Sequence, residues 1–188
     1  MKKPLDIFRC LCYNHFMKYD YVALYNKTAS FYNAHPRAKR LLIIGNKLLT
    51  WLFFVCYGGL WLYTLLLAPL DTKELVKILF VPLLTLLTVT VFRMIIDRPR
   101  PYTEAGAGIT PLIQKKKAEG QSFPSRHLAC ATVISMTFLP FYPMMGGVLL
   151  VCSILLGYIR FATGIHYPSD LLAGSILGII LGGFIFIL

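Results

Sequence analysis

The sequence predicts an all-α protein: a polytopic membrane helical bundle of about five transmembrane helices with an N-terminal interfacial helical segment. Three observations predict it. The 188-residue chain is 57% hydrophobic and only 14% charged, whereas about a quarter of an ordinary soluble domain is charged. The apolar residues come in blocks near the ~20 residues that cross a hydrocarbon core. Proline and glycine clusters interrupt the longest block where a hairpin is needed. The length allows one domain, read as a basic amphipathic interfacial segment over 1–40 and a membrane-embedded core over 41–188.

Residues 1–40 carry Lys2, Lys3, Arg9, Lys18, Lys27, Arg37, Lys39 and Arg40 against Asp6 and Asp20, mixed with eight aromatic residues from Phe8 to Tyr32. No window there is long and clean enough to span, and no h-region with a small-residue cleavage site marks a secretory signal. A basic, aromatic, helix-compatible segment suits the headgroup region; the alternative is a solvated tail.

Leu48 to Leu70 has no charge over about 23 residues, enough to cross a bilayer, and places the first helix over 41–70. Leu75 to Ile96 reaches spanning length if Lys77 and Arg93 are accommodated, giving a second helix over 74–97. Leu128 to Ile159 is charge-free over about 32 residues, too long for one span and right for two. Pro140, Pro143, Gly146 and Gly147 place a turn near Phe141 to Met145, between helices over 125–140 and 144–163. Leu171 to Leu188 supplies a fifth helix over 169–188. Its Gly174, Gly178 and Gly182 form overlapping GxxxG steps, read as close packing within a monomer, with dimerisation as the alternative.

The net charge of +11 does not point to nucleic acid, because the charges cluster at span ends. Anionic lipid headgroups or an anionic substrate are the partners this pattern fits. Cys56, Cys130 and Cys152 lie in apolar spans and read as small core residues. Cys10 and Cys12 are too closely spaced for an ordinary bridge, and no zinc-type spacing exists. The longest connection, Arg98 to Pro124, is of a size that is often functional. Its Lys115, Lys116 and Lys117 read as a solvated loop, or as attraction for a second phosphate or an anionic surface.

Ionisable residues at spans are costly and mark candidate sites. Three groups stand out. In FRMIIDRPRPY, Arg93 and Arg100 share a helical face if the helix persists, although Pro99 and Pro101 favour its end; snorkelling is the plain alternative. In FPSRHLA, Ser125 can cap a helix whose first-turn N–H groups form an anion site, with Arg126 and His127 just inside. In YIRFATGIHYPSD, Asp170 lies close enough to bond one nitrogen of His166 and leave the other free to attack, with Arg160 closing the preceding helix. Parity of the spans puts all three groups on one membrane face. Arginines, a helix N-terminus and two histidines together suit a phosphoryl group. No carboxylate cluster offers a magnesium site, so no metal or cofactor is expected and the arginines supply the positive charge.

These residues resemble the three motifs of the type-2 phosphatidic acid phosphatase family of membrane lipid phosphatases. The first, Lys, six residues, Arg-Pro, is met by Arg93 through Arg100-Pro101. The second, Pro-Ser-Gly-His, reads Pro124-Ser125-Arg126-His127. The third, Ser-Arg, five residues, His, three residues, Asp, reads Ile159-Arg160, His166, Asp170. Arginine replaces lysine at 93, arginine replaces glycine at 126, and Ile159 lacks a hydroxyl. The motifs span Arg93 to Asp170 and do not cover residues 1–40.

The resemblance implies hydrolysis of a lipid phosphate or diphosphate without metal. His166 is the nucleophile, Asp170 its orienter, and His127 the acid and then the base. Arg93, Arg100, Ser125, Arg126 and Arg160 hold the phosphate. Polyprenyl diphosphate, phosphatidic acid and phosphatidylglycerophosphate all fit the motifs. A non-catalytic lipid-binding protein of the same fold and a lipid phosphotransferase are the competing readings. The family analogy implies an extracytoplasmic active site, whereas the distribution of Lys and Arg favours a cytoplasmic one.

Overall fold

The computed structural model describes residues 15–66, 71–103, 106–113 and 121–187, with side chains from Tyr21 onward. The expected Lys115 to Lys117 cluster, the basic residues Lys2, Lys3 and Arg9, and Cys10 and Cys12 lie outside the described residues. The described chain is all-helical: α1 (His15–Ala34), α2 (Pro36–Leu66), α3 (Thr72–Ile96), α4 (Arg126–Phe138), α5 (Pro143–Ala162), α6 (Pro168–Gly182) and a terminal turn, α7 (Phe184–Ile187). The five expected core helices all form, with ends shifted by a few residues.

α1 ends at Ala34 because the residue before Pro36 is disfavoured in helical geometry. Its Tyr21, Tyr25 and Ala29 are buried and recur at the i, i+4, i+8 spacing of one helical face. They pack against Ile159, Ala162 and Tyr167, so this part of the basic N-terminal segment is bound to the core. The boundary at residue 40 falls inside α2, which starts at Pro36, a residue suited to a first helical position.

α2, α3, α5 and α6 with α7 are each long and apolar enough to cross a membrane, and the chain is a multi-pass membrane protein. α2 buries only Leu42, Phe53, Leu60 and Thr64; Leu48, Trp51, Phe54 and Val55 face outward, as lipid-facing residues do. In α3, Pro82 is buried mid-helix and has no N–H to offer the carbonyl of Ile78. The Tyr57 hydroxyl of α2 donates to that carbonyl at 2.9 Å, satisfying it from a neighbouring helix.

α4 differs from the expected spanning helix. It has 13 residues, nine of them buried, and at ~1.5 Å per residue it reaches only about 20 Å. It is the central helix, enclosed by its neighbours. α6 lies against it along the glycine stripe. A Cβ on Gly174 would sit 2.6 Å from the Ser125 carbonyl, on Gly178 2.8 Å from the Ala129 carbonyl, and on Gly182 2.7 Å from the Met136 Cβ. Those glycines are therefore used for packing within one chain.

Candidate active site

α3 ends at the membrane end where α4 and α6 begin. Asp97 adopts a left-handed conformation, φ 38, and its N–H bonds back to the Arg93 carbonyl. The helix therefore does not persist, and Arg93 and Arg100 do not share a helical face. Arg93 remains inside α3, buried, and donates from Nη1 to the Pro124 carbonyl at 3.1 Å. It lies within electrostatic reach of Arg100, Arg126 and Asp170.

Ser125 occupies the N-cap position of α4 with an extended backbone, yet its hydroxyl makes no capping bond. Its N–H instead donates to the Asp170 carbonyl at 2.9 Å. The Ser125 Oγ is fully buried and has no partner among the described residues. Arg126 is exposed and His127 half-buried.

Gly164, at φ +74, turns the chain from α5 into the loop carrying His166. A Cβ there would meet the Tyr25 ring at 2.9 Å. The His166 side chain is 1% exposed and that of Asp170 0%. Nδ1 of His166 lies 3.5 Å from Asp170 Oδ2, at the long edge of hydrogen bonding. Ser122 stands between them. Its hydroxyl donates to Asp170 Oδ2 at 2.5 Å and lies 3.4 Å from His166 Nδ1. Asp170 Oδ2 also accepts the Tyr167 N–H at 3.0 Å. Burial pulls the His166 pKa down to about 4, opposed by Asp170 and assisted by Arg100 and Arg160. The ring is therefore neutral near pH 7. With Nδ1 turned to Ser122 and Asp170, Nε2 is the nitrogen left for chemistry.

Arg160, in the last turn of α5, is buried and reaches Thr50 Oγ1 of α2 through Nη2 at 3.3 Å. Its Nε has no partner among the described residues. Arg98, Ser122, Thr50 and Tyr167 are the contributors that sequence reasoning missed. Arg98 had a signal, a second arginine within a proline-bounded run. The serine and threonine had none, since hydroxyl residues are common in loops and spans.

Beside the site, α2, α3, α4 and α5 enclose a cavity of about 460 Å³. His127, Arg126 and Thr50 line it together with apolar residues including Phe53, Leu83 and Leu156.

Residues 74–188 match the PAP2 superfamily. The chain belongs to that superfamily. This is the phosphatase family whose motifs the sequence resembles, and the match begins in α3, leaving α1 and α2 outside it. Among curated proteins, the PAP2 chain is 35% identical over 65 residues to the bacitracin transport permease protein BcrC of Bacillus licheniformis. That alignment spans 35% of this chain and 32% of BcrC, so about a third of the relative's length is covered. Among solved structures, LpxE of Aquifex aeolicus superposes with a TM-score of 0.68 at 20% identity, covering 89% of this chain and 94% of the other. A PAP2-type phosphatidylglycerolphosphate phosphatase from Bacillus subtilis superposes with a TM-score of 0.66 at 20% identity, covering 97% and 90%. At that identity the two share the fold.

Proposed function

We propose that this PAP2 protein is a lipid phosphate phosphatase that hydrolyses a lipid monophosphate or diphosphate through a phosphohistidine. One observation carries the reading. Ser125 Oγ and Arg160 Nε are buried donors without partners among the described residues, and they belong to the two motifs that the Ser125–Asp170 backbone bond ties together. Buried donors of this kind call for an acceptor, and a phosphoryl group offers several oxygens.

In the first step, Nε2 of His166 attacks phosphorus, a P–N bond forms, and the P–O bond to the leaving group breaks. The leaving oxygen takes a proton from His127. Water then attacks phosphorus, loses its proton to His127, and the P–N bond breaks to release inorganic phosphate. Asp170 holds the ring through its contact with Nδ1. Arg93, Arg100, Arg160, Ser125 and the Arg126 backbone amide hold the oxygens of the transferring group. The cavity lined by His127 and apolar residues fits the first part of the substrate's hydrocarbon. Polyprenyl diphosphate, phosphatidic acid and phosphatidylglycerophosphate remain the substrate candidates. The basic starts of α1 and α2 favour a site open to the cytoplasm.

The test is phosphate release from dioctanoyl phosphatidic acid and from farnesyl diphosphate by purified protein, with and without EDTA. Release that persists in EDTA and vanishes in His166→Ala supports the reading; release by His166→Ala at the native rate overturns it. Labelling of Lys116→Cys by an impermeant thiol reagent on intact cells decides the face: protection supports a cytoplasmic site, and modification places it outside.

A further inference from the structure

We propose that Arg98 is a positioning residue that clamps Asp170, fixing which carboxylate oxygen meets His166. The inference rests on the reading of His166 as nucleophile.

The left-handed turn at Asp97 frees Arg98 from the helix, and its side chain turns inward toward α6. Nη1 donates to Asp170 Oδ1 at 2.7 Å and to Ser169 Oγ at 2.8 Å. The guanidinium lies over the Tyr167 ring, 4.2 Å from its centroid, a stacking geometry suited to arginine and not to lysine. Behind Tyr167 stands Tyr21 of α1, with ring centroids 4.8 Å apart. The Arg98 backbone contributes as well, because its carbonyl accepts the Ser122 N–H at 2.8 Å. One short segment thus delivers a cation to Oδ1 and the Ser122 hydroxyl to Oδ2. With Tyr167 N–H also on Oδ2, both oxygens are engaged and the carboxylate cannot rotate away.

Arg98 is buried and its Nη1 is committed to Asp170 and Ser169, while its Nε has no partner among the described residues; the bond to Asp170 is the route by which it acts on His166. The groups facing His166 are Asp170, Ser122, Arg100 and Arg160. Arg98 shares the charge of Asp170 with that ring. Removing it takes the competing cation off the carboxylate and leaves more of its charge to His166, which favours the protonated ring, and frees Oδ1 so that the carboxylate can turn.

Arg98→Met and Arg98→Lys are compared with native protein in dioctanoyl phosphatidic acid hydrolysis across pH. Arg98→Met is expected to lower kcat about 100-fold, the scale of a misplaced reacting group, with KM unchanged. The acid limb of its pH profile moves up by roughly one unit, and this shift is absent in an Asp170→Asn background. Arg98→Lys keeps the native limb and a kcat within roughly tenfold of native, since a charge is restored without the planar stack. A native kcat or native acid limb in Arg98→Met, a loss confined to KM, or an equal shift with Asn at 170 overturns the proposal. If Arg98→Met fails to assemble, Arg98→Gln is measured in its place: a lowered kcat with a raised acid limb supports the proposal, and a native kcat or a native limb overturns it. Absence of phosphate release by the native chain removes the phosphatase reading and this inference with it. An active native chain indifferent to Arg98 removes the inference only.

Discussion

The backbone N–H of Ser125 donates to the backbone carbonyl of Asp170 at 2.9 Å, so the start of α4 and the first turn of α6 form one unit. Residues 45 positions apart are locked by a bond that no side-chain motif encodes. The glycine stripe of α6 permits this approach.

Substituting Gly174 by alanine therefore damages stability and site together. The new Cβ would lie 2.6 Å from the Ser125 carbonyl, and backbone on both sides leaves little room to yield. We expect a loss of about 1–3 kcal/mol, as for overpacked cores, with reduced phosphate release. Gly147→Ala, inside α5 where nothing lies within 4 Å, is the control: it should leave phosphate release unchanged and cost no stability, with a gain of up to about 1 kcal/mol from helix propensity. Thermal unfolding in detergent and a phosphate assay measure the pair.

Tyr57→Phe leaves the Ile78 carbonyl without the donor that replaces the missing N–H of Pro82. In apolar surroundings this should cost about 1–3 kcal/mol. Pro82→Ala restores the helical donor, so the cost of Tyr57→Phe should shrink in that background. Equal costs in both backgrounds, measured as a double-mutant cycle, would rule out the compensation.

His166 makes stability depend on pH in a defined direction. Burial holds its folded pKa near 4, below the ordinary value of about 6.5. Between those values the unfolded chain binds the extra proton, so stability is full above about pH 6.5 and falls as pH drops toward 4. His166→Gln should lack this part of the slope. Midpoints of unfolding from pH 4 to 8 provide the comparison. For activity, the nucleophile stays neutral well into weak acid, so the acid limb should lie near pH 4 rather than near neutrality.

His127→Ala should lower kcat by roughly 10²–10⁴, the usual range for loss of a general acid or base. A substrate with a good leaving group, such as a nitrophenyl phosphate ester, needs no protonation at departure. The formation of phosphoenzyme from it should be less impaired than from an alkyl phosphate. Equal impairment with both substrates would remove His127 from the role of proton donor.

Much of this protein is legible without coordinates. Charge-free blocks located the core helices because hydrocarbon excludes charge, and the interruptions at Pro140 and Pro143 located the hairpin. The costly residues Arg93, His127, Arg160, His166 and Asp170 were visible because an ionisable group beside lipid needs a reason. The short reach of α4 was not visible, since a helix enclosed by protein is as apolar as one that spans lipid. The pairing of Arg98 with Asp170 was hidden because snorkelling and inward pairing are alike in sequence; the left-handed turn at Asp97 chooses between them. Ser122 entered through a hydrogen bond to the backbone of Arg98.

The amino-acid order by itself determined a helical membrane bundle with cations and imidazoles gathered at one end, because water-loving groups can lie only where lipid stops. Tertiary structure alone decided which nitrogen of His166 faces Asp170, which arginine holds that carboxylate, and how closely α6 approaches α4. Those outcomes depend on distances of a few ångströms between segments far apart in the chain, and local spacing carries no record of them.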